Sequence, residues 1–571
     1  MTEKESRMAR GLEPAELVLK NGNIVNVFSD EIIPGDVAIA GGRVVGVGHY
    51  SGIEEIDCSG KYIAPGLIDA HVHIESSMLV PSEFAKVKAA AGTTSIVADP
   101  HEAVNVSGGE ALDWLISASK DIPVTVYFMV PSSVPASDME TNGAGEFLAA
   151  DMRKYAGDRS VIGLGETMRF MDAIAAEKRM MDKIDIFEGM KIDGHAPGLT
   201  GPDVQAYRLA GVDSDHECGT AEEALEKLRA GFAVLAREGS GAKNLEDILR
   251  GFIEAGVSLD RVMFCTDDKH TVEIKEEGDI STCVSKAIKL GIPAAKAYRM
   301  ATLNAASHYG LSGKGAVGAG YDADLIVLDE LGDVFPSAVF KGGVLVGQKD
   351  ECRDSGSNGV GASDIPAWLL DTVEFGTVTP DDIKVTRGDV NDVMEMSGGT
   401  LVTKHLKENI PGDGSVFIPN GVYDKLCVIE RHGRTGEKAA APIKGFGIRG
   451  GAVATTVAHD SHNLIAAGDN DKEIIAAAEA VKKMHGGYAL ASGGRIVGKL
   501  PLPVCGLMSD RPCAEVEAKV AELRDAARRM GVPDDIDPFI TLSFMALTVI
   551  PELRLTERGL FDVTKMAYLQ A

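Results

Sequence analysis

Residues 66–78, GLIDAHVHIESSM, join an apolar, strand-like run to two histidines separated by one residue. Side chains at positions i and i+2 of a strand point the same way, so the imidazoles of His71 and His73 face one point. Two imidazole nitrogens on a rigid element form half of a divalent metal site. Taken alone, the pair is equally compatible with an ordinary polar strand end.

Seven further apolar runs follow, each ending in polar residues. They are TTSIVADPHE (93–102), PVTVYFMVPS (123–132), VIGLGETM (161–168), KIDGHAPG (191–198), GVDSDHE (211–217), AVLAREGS (233–240) and VMFCTDD (262–268). Amphipathic spacing between runs, as at 82–92 and 245–256, predicts helices. Eight β-α repeats between residues 66 and 310 predict a (β/α)8 barrel, in which the seventh strand is the weakest assignment.

Closure of such a barrel would bring the polar strand ends to one mouth, where these barrels keep their chemistry. Six candidate metal ligands end strands in this way: His71, His73, Glu166, His195, His216 and Asp267. One ion would use only three or four of these groups. Two divalent ions bridged by a carboxylate and a hydroxide use all six, which predicts a binuclear site with a nucleophile available at neutral pH.

Short alternating runs broken by Asn-Gly and Gly-Gly predict β-hairpins outside the barrel. We expect residues 1–65 and 311–350 to form one small β-sandwich that is split around the barrel at 66–310. The Gly- and Ser-rich residues 351–364 predict a linker. Residues 365–571 mix strand and helix patterns and predict a C-terminal α+β domain. The fold class is therefore α/β, with two domains added to the barrel.

The composition excludes several classes of protein. The 571 residues include 57 Lys and Arg against 85 Asp and Glu, and the resulting charge of −28 argues against a nucleic-acid partner. The eight cysteines are scattered without a C-x-x-C pair, which is typical of a reducing cytosol. The N-terminus lacks the apolar segment of a signal peptide, and no apolar run reaches about 18 residues. We expect a cytoplasmic protein with no membrane partner.

Together, the motifs resemble those of the bacterial and archaeal adenine deaminases of the amidohydrolase superfamily. The matching stretches are GLIDAHVHIESSM (66–78), VADPHE (97–102), GLGETM (163–168), DGHAPG (193–198), DSDHE (213–217), TDD (266–268), HDSHN (459–463) and GDND (468–471). They extend over almost the whole chain. Many superfamily members carry a carbamylated lysine on the fourth strand, where this chain has Glu166. A glutamate supplies the same negative charge and two oxygens without modification.

The resemblance implies hydrolysis of a cyclic amidine C–N bond, with adenine converted to hypoxanthine and ammonia in purine salvage or catabolism. The implied ligand sets share one carboxylate: His71, His73, Glu166 and Asp267 for one ion, and Glu166, His195 and His216 for the other. Manganese or iron(II) is implied, and zinc also suits imidazole and carboxylate ligands. A homo-oligomer, dimeric or larger, is implied as well.

In the implied reaction, hydroxide held by the metals attacks C6 of adenine, while N1 takes a proton and the amine leaves as ammonia. Asp267 is expected to be the main proton shuttle, because an aspartate that touches the hydroxide is well placed for proton transfer. A protonated Glu166 that serves N1 is the competing assignment, and the sequence leaves it open.

Several residues near the ligands have weaker assignments. The candidates for contact with the substrate or with the ligands are Glu75, Ser76, Ser77, His101 and Glu102. A helix N-cap is equally compatible with either serine, and a local loop hydrogen bond is equally compatible with His101. At the seventh strand, Arg237 and Glu238 would form a structural ion pair, with a role in binding as the alternative.

The tail contains an accessory motif at His459, Asp460 and His462. These side chains would hold a further metal ion or reach an active site. The equally weighted alternative is a loop whose polar side chains satisfy one another.

Two other functions remain as alternatives. A cyclic amidase of the dihydroorotase or hydantoinase type uses the same metal pair on an amide carbon, but Glu166 and the long tail argue against it. A non-catalytic barrel homologue would be expected to have lost ligands, whereas all six are present.

Overall fold

The computed structural model describes residues 1–348, 365–398 and 400–569. The predicted linker at 351–364 lies outside the described residues. The chain begins with a short helix, α1 (Glu3–Ala9), and then enters a sheet. Its first five strands are β1 (Ala15–Asn26), β2 (Glu31–Ala40), β3 (Arg43–Gly48), β4 (Gly52–Asp57) and β5 (Tyr62–Pro65).

The next part of the chain forms the barrel. Its strands are β6 (Leu67–Val72), β7 (Thr93–Ala98), β8 (Thr125–Val130), β9 (Val161–Thr167), β10 (Lys191–Gly194), β11 (Ser214–Asp215), β12 (Ala233–Arg237) and β13 (Val262–Cys265). They pair in parallel within two groups, β6–β10 and β11–β13. Asp213 N donates to Ile192 O over 3.0 Å between the groups, and Asp267 N donates to His71 O over 2.9 Å at the closure. The predicted (β/α)8 barrel is therefore confirmed.

Twelve helices accompany these strands in the described residues. They are α2 (Pro81–Ala90), α3 (His101–Ala118), α4 (Ala149–Met152), α5 (Phe170–Ile174), α6 (Lys178–Ile186), α7 (Pro202–Leu209), α8 (Ala221–Arg229), α9 (Leu245–Ala255), α10 (Thr271–Glu277), α11 (Ile280–Lys289), α12 (Ala294–Met300) and α13 (Leu303–Tyr309). The helices predicted at 82–92 and 245–256 are confirmed. The seventh strand is regular, whereas the sixth is the shortest, because its run VDSD offers mainly residues that disfavour strands.

After the barrel, the chain returns to the first sheet. The returning strands are β14 (Leu325–Leu328), β15 (Ala338–Lys341) and β16 (Val344–Gly347). β14 pairs antiparallel with β5, which places Val327 opposite Ile63. The sheet order is β16-β15-β14-β5-β1-β2-β3, with β4 also pairing with β1. Both segments of the predicted sandwich thus meet in one eight-stranded sheet, while the domain boundaries remain a prediction.

The C-terminal part is built on a second eight-stranded sheet. Its elements, in chain order, are β17 (Asn391–Glu395), β18 (Lys404–Glu408), β19 (Gly412–Asp413), β20 (Val416–Phe417), β21 (Tyr423–Ile429), β22 (Lys438–Lys444), β23 (Gly451–Thr455), β24 (Leu464–Gly468), α14 (Asp471–Lys483), β25 (Gly487–Ser492), β26 (Arg495–Pro501), α15 (Cys513–Arg529), α16 (Ile540–Ser543), β27 (Leu553–Thr556), β28 (Gly559–Asp562) and β29 (Ala567–Tyr568). The large sheet runs β18-β17-β22-β21-β24-β23-β25-β26. α14 covers one face of it through Ile474, Ala477 and Val481.

The C-terminal part packs over the barrel. Ser509 N donates to Met78 O over 2.8 Å, directly after the ligand strand β6. The hydroxyls of Ser137 and Thr548 lie 2.7 Å apart, and one apolar cluster contains residues of both parts, among them Val106 and Leu507. Among the helices of the described residues, none has the length and apolar character needed to cross a bilayer.

A fully buried lysine links β6 to the segment that follows β13, beneath the mouth of the barrel. Lys88 on α2 is 0% exposed, and its Nζ lies 2.6 Å from Asp69 Oδ2 and 2.7 Å from Asp279 Oδ1. Asp69, on β6, accepts a hydrogen bond from Thr266 N over 3.0 Å. Thr266 immediately precedes Asp267, so this network fixes β6 and the end of β13 relative to each other.

We expect Lys88→Met to destabilise the protein by about 3–5 kcal/mol, because two buried carboxylates would lose their cation. Denaturant unfolding followed by circular dichroism measures the change. Lys178→Met is the matched control: its ion pair with Asp182 is exposed, so its effect should stay within about 0.5 kcal/mol. Equal stability of the Lys88 variant and the wild type would contradict the network's structural role.

Candidate metal centre

His71 in β6 and His73, which directly follows that strand, lie at the carboxyl end of the first barrel strand and point to the same side of it. Their rings are 4.8 Å apart, centroid to centroid, and nearly perpendicular. His71 is 1% and His73 3% exposed. His73 Nδ1 donates to the carbonyl oxygen of Asp99 over 2.8 Å, which leaves Nε2 facing the barrel axis. The strand geometry inferred from the spacing is therefore present.

Glu166, at the end of β9, lies between two pairs of histidines. Its Oε1 is 3.3 Å from His73 Nε2 and 3.8 Å from His71 Nε2. Its Oε2 is 2.5 Å from His195 Nδ1 and 3.4 Å from His216 Nε2. One oxygen thus faces each pair, which is the arrangement that a bridging carboxylate requires.

Asp267 completes the set from the end of β13. Its Oδ1 lies 2.9 Å from His73 Nε2, while its Oδ2 accepts a hydrogen bond from Arg237. Burial raises the pKa of Asp267, but Arg237 and His73 lower it more, so the pKa lies well below its usual range. The backbone of Asp267 is left-handed, with φ +57°, a conformation that is uncommon in non-glycine residues but is enriched in aspartate.

The donor set fits a divalent metal pair. Both ring nitrogens of His71 and Nε2 of His216 are buried without a hydrogen-bond partner. Burial and the neighbouring His216 hold the pKa of His71 well below its ordinary value, so its ring is neutral, as metal ligation requires. Ligand atoms of His71, His73 and Glu166 lie close enough to share one ion, as do those of Glu166, His195 and His216. All six predicted ligand residues come together.

Arg237 makes two contacts that the sequence assignment did not include. It contacts Glu217 and Asp267, both of which lie at the mouth. The expected Arg237–Glu238 ion pair is wrong: Glu238 pairs with Lys286 over 2.8 Å. Arg237 is the last residue of β12 and Glu238 follows it, and adjacent residues in an extended backbone point to opposite sides, so the two side chains diverge.

The weaker candidates near the ligands divide into two groups. His101 and Glu102 line the cavity above the ligands, and His101 Nδ1 lies 3.2 Å from Glu166 Oε1. Ser77 Oγ donates to Ile74 O over 2.6 Å and accepts from Leu79 N, which is a local turn contact. Neither serine is an N-cap, because both lie inside a 3-10 helix, Glu75–Ser77, that begins after Ile74.

Glu75 and Ser76 lie beside the ligands rather than on the main cavity wall. Glu75 Oε1 accepts a hydrogen bond from Ala103 N over 3.0 Å, and burial raises the pKa of Glu75 to about 7. Ser76 Oγ donates to Asp268. Both residues border a small adjoining cavity.

The accessory motif of the C-terminal part, at His459, Asp460 and His462, lies at the cavity above the candidate ligands. His459 and His462, in the loop between β23 and β24, both contact Glu102. Asp460 Oδ1 lies 3.9 Å from His101 Nε2. His459 and Asp460 line the cavity with the barrel residues, so the motif does not form a self-contained loop.

The cavity above the ligands has a volume of about 310 Å³. The opposite wall is apolar and belongs to the C-terminal part: Leu401, Phe544, Leu547, Val549 and Ile550. The sequence assignment did not include this wall; its only signal was the apolar run FMALTVI at 544–550. The cavity therefore combines a polar floor of candidate metal ligands with an apolar roof, a combination typical of sites for small organic molecules.

Comparison with known proteins agrees with these features. A family model described as "Amidohydrolase family" matches residues 62–346, and one described as "Adenine deaminase C-terminal domain" matches residues 400–567. An adenine deaminase of Desulfitobacterium hafniense is 44% identical over 98% of this chain and 97% of its own length. One of Clostridium acetobutylicum is 40% identical over 99% of both chains. Among solved structures, an adenine deaminase aligns over 58% of this chain and 99% of its own, with a TM-score of 0.46 and 17% identity.

We expect about two divalent ions per chain at saturating metal, because a single ion would leave several buried ligands unused. Elemental analysis of dialysed protein measures the ratio. Replacing both His195 and His216 with Ala should reduce it to about one, whereas His485→Ala, at an exposed histidine, should leave it unchanged. A ratio of one in the wild-type protein at saturating metal contradicts the binuclear site.

Proposed function

The chain belongs to the adenine deaminase family of the amidohydrolase superfamily, and from this membership we propose that it hydrolyses adenine to hypoxanthine and ammonia. The reaction breaks the C6–N bond of the purine and belongs to purine salvage or catabolism. The enzyme is thus a hydrolase that acts on a cyclic amidine C–N bond.

One observation carries this proposal: the six candidate metal ligands come together at the base of a cavity that four of them line, and the opposite wall of this cavity is apolar. Adenine is flat and uncharged, with an apolar face and polar edges. Its reactive carbon would face the ligand residues while the ring lies against Phe544, Leu547 and Ile550. Apolar contacts of this kind favour binding and remove water from the reacting atoms.

Two divalent ions are the proposed cofactors. His71, His73, Glu166 and Asp267 would hold one ion, and Glu166, His195 and His216 would hold the other, so that Glu166 is shared. Mn²⁺ or Fe²⁺ is proposed, and Zn²⁺ also suits these ligands. When bound, such ions supply Lewis acidity that makes water a nucleophile at neutral pH. The carboxylate oxygens of Glu166 lie 3.3–3.8 Å from the Nε2 atoms of His73, His71 and His216, so one carboxylate reaches histidines of both sets. This supports the division of ligands.

Asp267 is the proposed proton shuttle. Against the effect of burial, Arg237 and His73 hold the pKa of Asp267 low and so keep its carboxylate ionised, which is the form that can accept a proton from the attacking water. It lines the cavity; its Oδ2 accepts a hydrogen bond from Arg237 and its Oδ1 faces His73, so Oδ1 is the oxygen that would take the proton. The attacking water supplies two protons: one would pass to N1 of the purine and the other to the departing amine, which leaves as ammonia. Glu166, whose two oxygens each face a pair of histidines, is the competing candidate for this task.

The alternative functions have less support. A dihydroorotase- or hydantoinase-like amidase does not account for the match of residues 400–567 to a C-terminal domain model of adenine deaminases. A non-catalytic homologue does not account for six converging ligands. Adenine is therefore the proposed small-molecule partner.

The proposed location is the cytoplasm, with no nucleic-acid or membrane partner. The seven cysteines among the described residues are buried and free of disulfides, which supports a reducing compartment. A homo-oligomer, dimeric or larger, stays an expectation from the family.

Metal-loaded protein should release one ammonia for each hypoxanthine formed from adenine, and metal-stripped protein should release none. Chromatography of the purines together with an ammonia assay measures both products. Dihydroorotate and hydantoin serve as control substrates. Ring opening of these amides without deamination of adenine would favour the amidase, and inactivity on all three substrates would favour the non-catalytic homologue.

Replacing Asp267 with Asn should lower kcat by about 10²- to 10⁴-fold, because the amide keeps one ligand oxygen but loses the base. Much of the metal should remain, since His71, His73 and Glu166 are unchanged. Asp267→Ala should lose more metal, because it removes the ligand as well. Rates and metal content are measured on the same preparations. An Asn variant within a few-fold of wild type at full metal loading would limit Asp267 to ligation and return proton transfer to Glu166 or His101.

A further inference from the structure

A buried glutamate marks the contact between the barrel mouth and the C-terminal part. Glu102, near the start of α3, is 2% exposed. His459 Nδ1 lies against its Oε1 and His462 Nε2 against its Oε2. A buried carboxylate needs compensating donors, and these two imidazoles provide one for each oxygen.

The proton positions on His462 are fixed by its surroundings. Ala458 N donates to His462 Nδ1 over 3.3 Å, so Nδ1 carries the lone pair. In the neutral ring the proton is then on Nε2, which donates to Glu102. A metal-binding nitrogen must instead offer its lone pair. The His462 contact is therefore a hydrogen bond that holds Glu102 in place, which argues against a third metal ion at this cluster.

His459 is also held by Glu102, but only one of its two ring nitrogens is used in that contact. Its Nδ1 donates to Glu102, and its ring stacks on Phe544 with centroids 4.5 Å apart at 20°. These two contacts determine both the position and the tilt of the imidazole. His459 lines the 310 Å³ cavity, and its Nε2 makes no hydrogen bond within the described part of the chain. The free nitrogen is thus available to a molecule in the cavity.

We propose that His459 binds the substrate by donating a hydrogen bond from Nε2 to a ring nitrogen of the purine, and that Glu102 positions His459 for this contact. The inference rests on the proposed function, because adenine is the occupant considered. It assigns the C-terminal part a direct role: a recognition group, together with the aromatic surface on which that group rests.

The charge state of His459 supports the donor role. Burial lowers the pKa of His459, but the facing carboxylate of Glu102 raises it more, to about 9. Both ring nitrogens then carry protons at neutral pH. Adenine presents unprotonated ring nitrogens, N1, N3 and N7, as acceptors along its edges, so the polarity of the contact matches.

Three analogues locate the contact: 1-deazaadenine, 3-deazaadenine and 7-deazaadenine each lack one acceptor nitrogen. Their inhibition constants against adenine deamination are measured with metal-loaded, full-length wild type and His459→Asn. In the variant, the asparagine amide takes the place of Nδ1 and retains the bond to Glu102, while Nε2 is lost. We expect KM for adenine to rise on the order of 10- to 100-fold, the usual effect of losing a charge-assisted hydrogen bond.

The expected result is selective. One analogue should bind wild type and variant equally, because it already lacks the nitrogen that His459 contacts, while the other two keep the full difference. Glu102→Gln should show the same selectivity with a smaller loss, which a merely structural role would not produce. His405→Asn is the matched control, since His405 Nε2 faces Asp392 at 2.6 Å in the same domain and does not line the cavity.

An equal loss for all three analogues, or no loss for any of them, would overturn the proposal. Loss of a third equivalent of metal from His459→Asn would also overturn it, in favour of a metal site at Glu102. If the wild type failed to deaminate adenine, the proposed function itself would fall, so the two failures are distinguishable.

Discussion

The carboxylate of Glu166 is the point on which the site depends. Its two oxygens face histidines from opposite sides of the barrel, two from the first strand and two from the fifth and sixth. This geometry exists only if the barrel closes with each strand in register. Buried carboxylates and imidazoles repel or remain unsatisfied unless a cation or donor compensates them. The strands around the site therefore have to place a cation or a hydrogen-bond donor beside each of these buried groups.

The second requirement is exclusion of water, and the barrel alone does not provide it. The roof of the cavity consists of apolar residues of the C-terminal part, and the tail histidines contact Glu102 on the barrel. Electrostatic interactions are stronger where apolar groups replace water beside the charged ones. The floor and the roof are therefore parts of a single site, although they come from separate regions of the chain.

Much of this site could be predicted, because strand ends follow from local patterns. The two-residue periodicity of β6 places His71 beside His73, and barrel closure gathers the other strand ends without further information. The partners of Arg237 could not be inferred in the same way, since they lie on neighbouring strands. Glu102 and His459 are 357 residues apart, and the roof at 544–550 has only an apolar run as its signal. Such contacts are set by how domains pack, which local periodicity does not specify.

Because the strands of the first sheet come from two separate parts of the chain, they are translated at different times. β5 leaves the ribosome early, yet its antiparallel partner β14 begins only at Leu325, after the whole barrel has been translated. At about 5–20 residues per second, that edge waits roughly tens of seconds without a neighbour. An unpaired edge strand is a template for aggregation. The nascent chain is exposed to that hazard during this interval, and the cavity, most of whose roof comes from residues 544–550, is completed only after those residues have been translated.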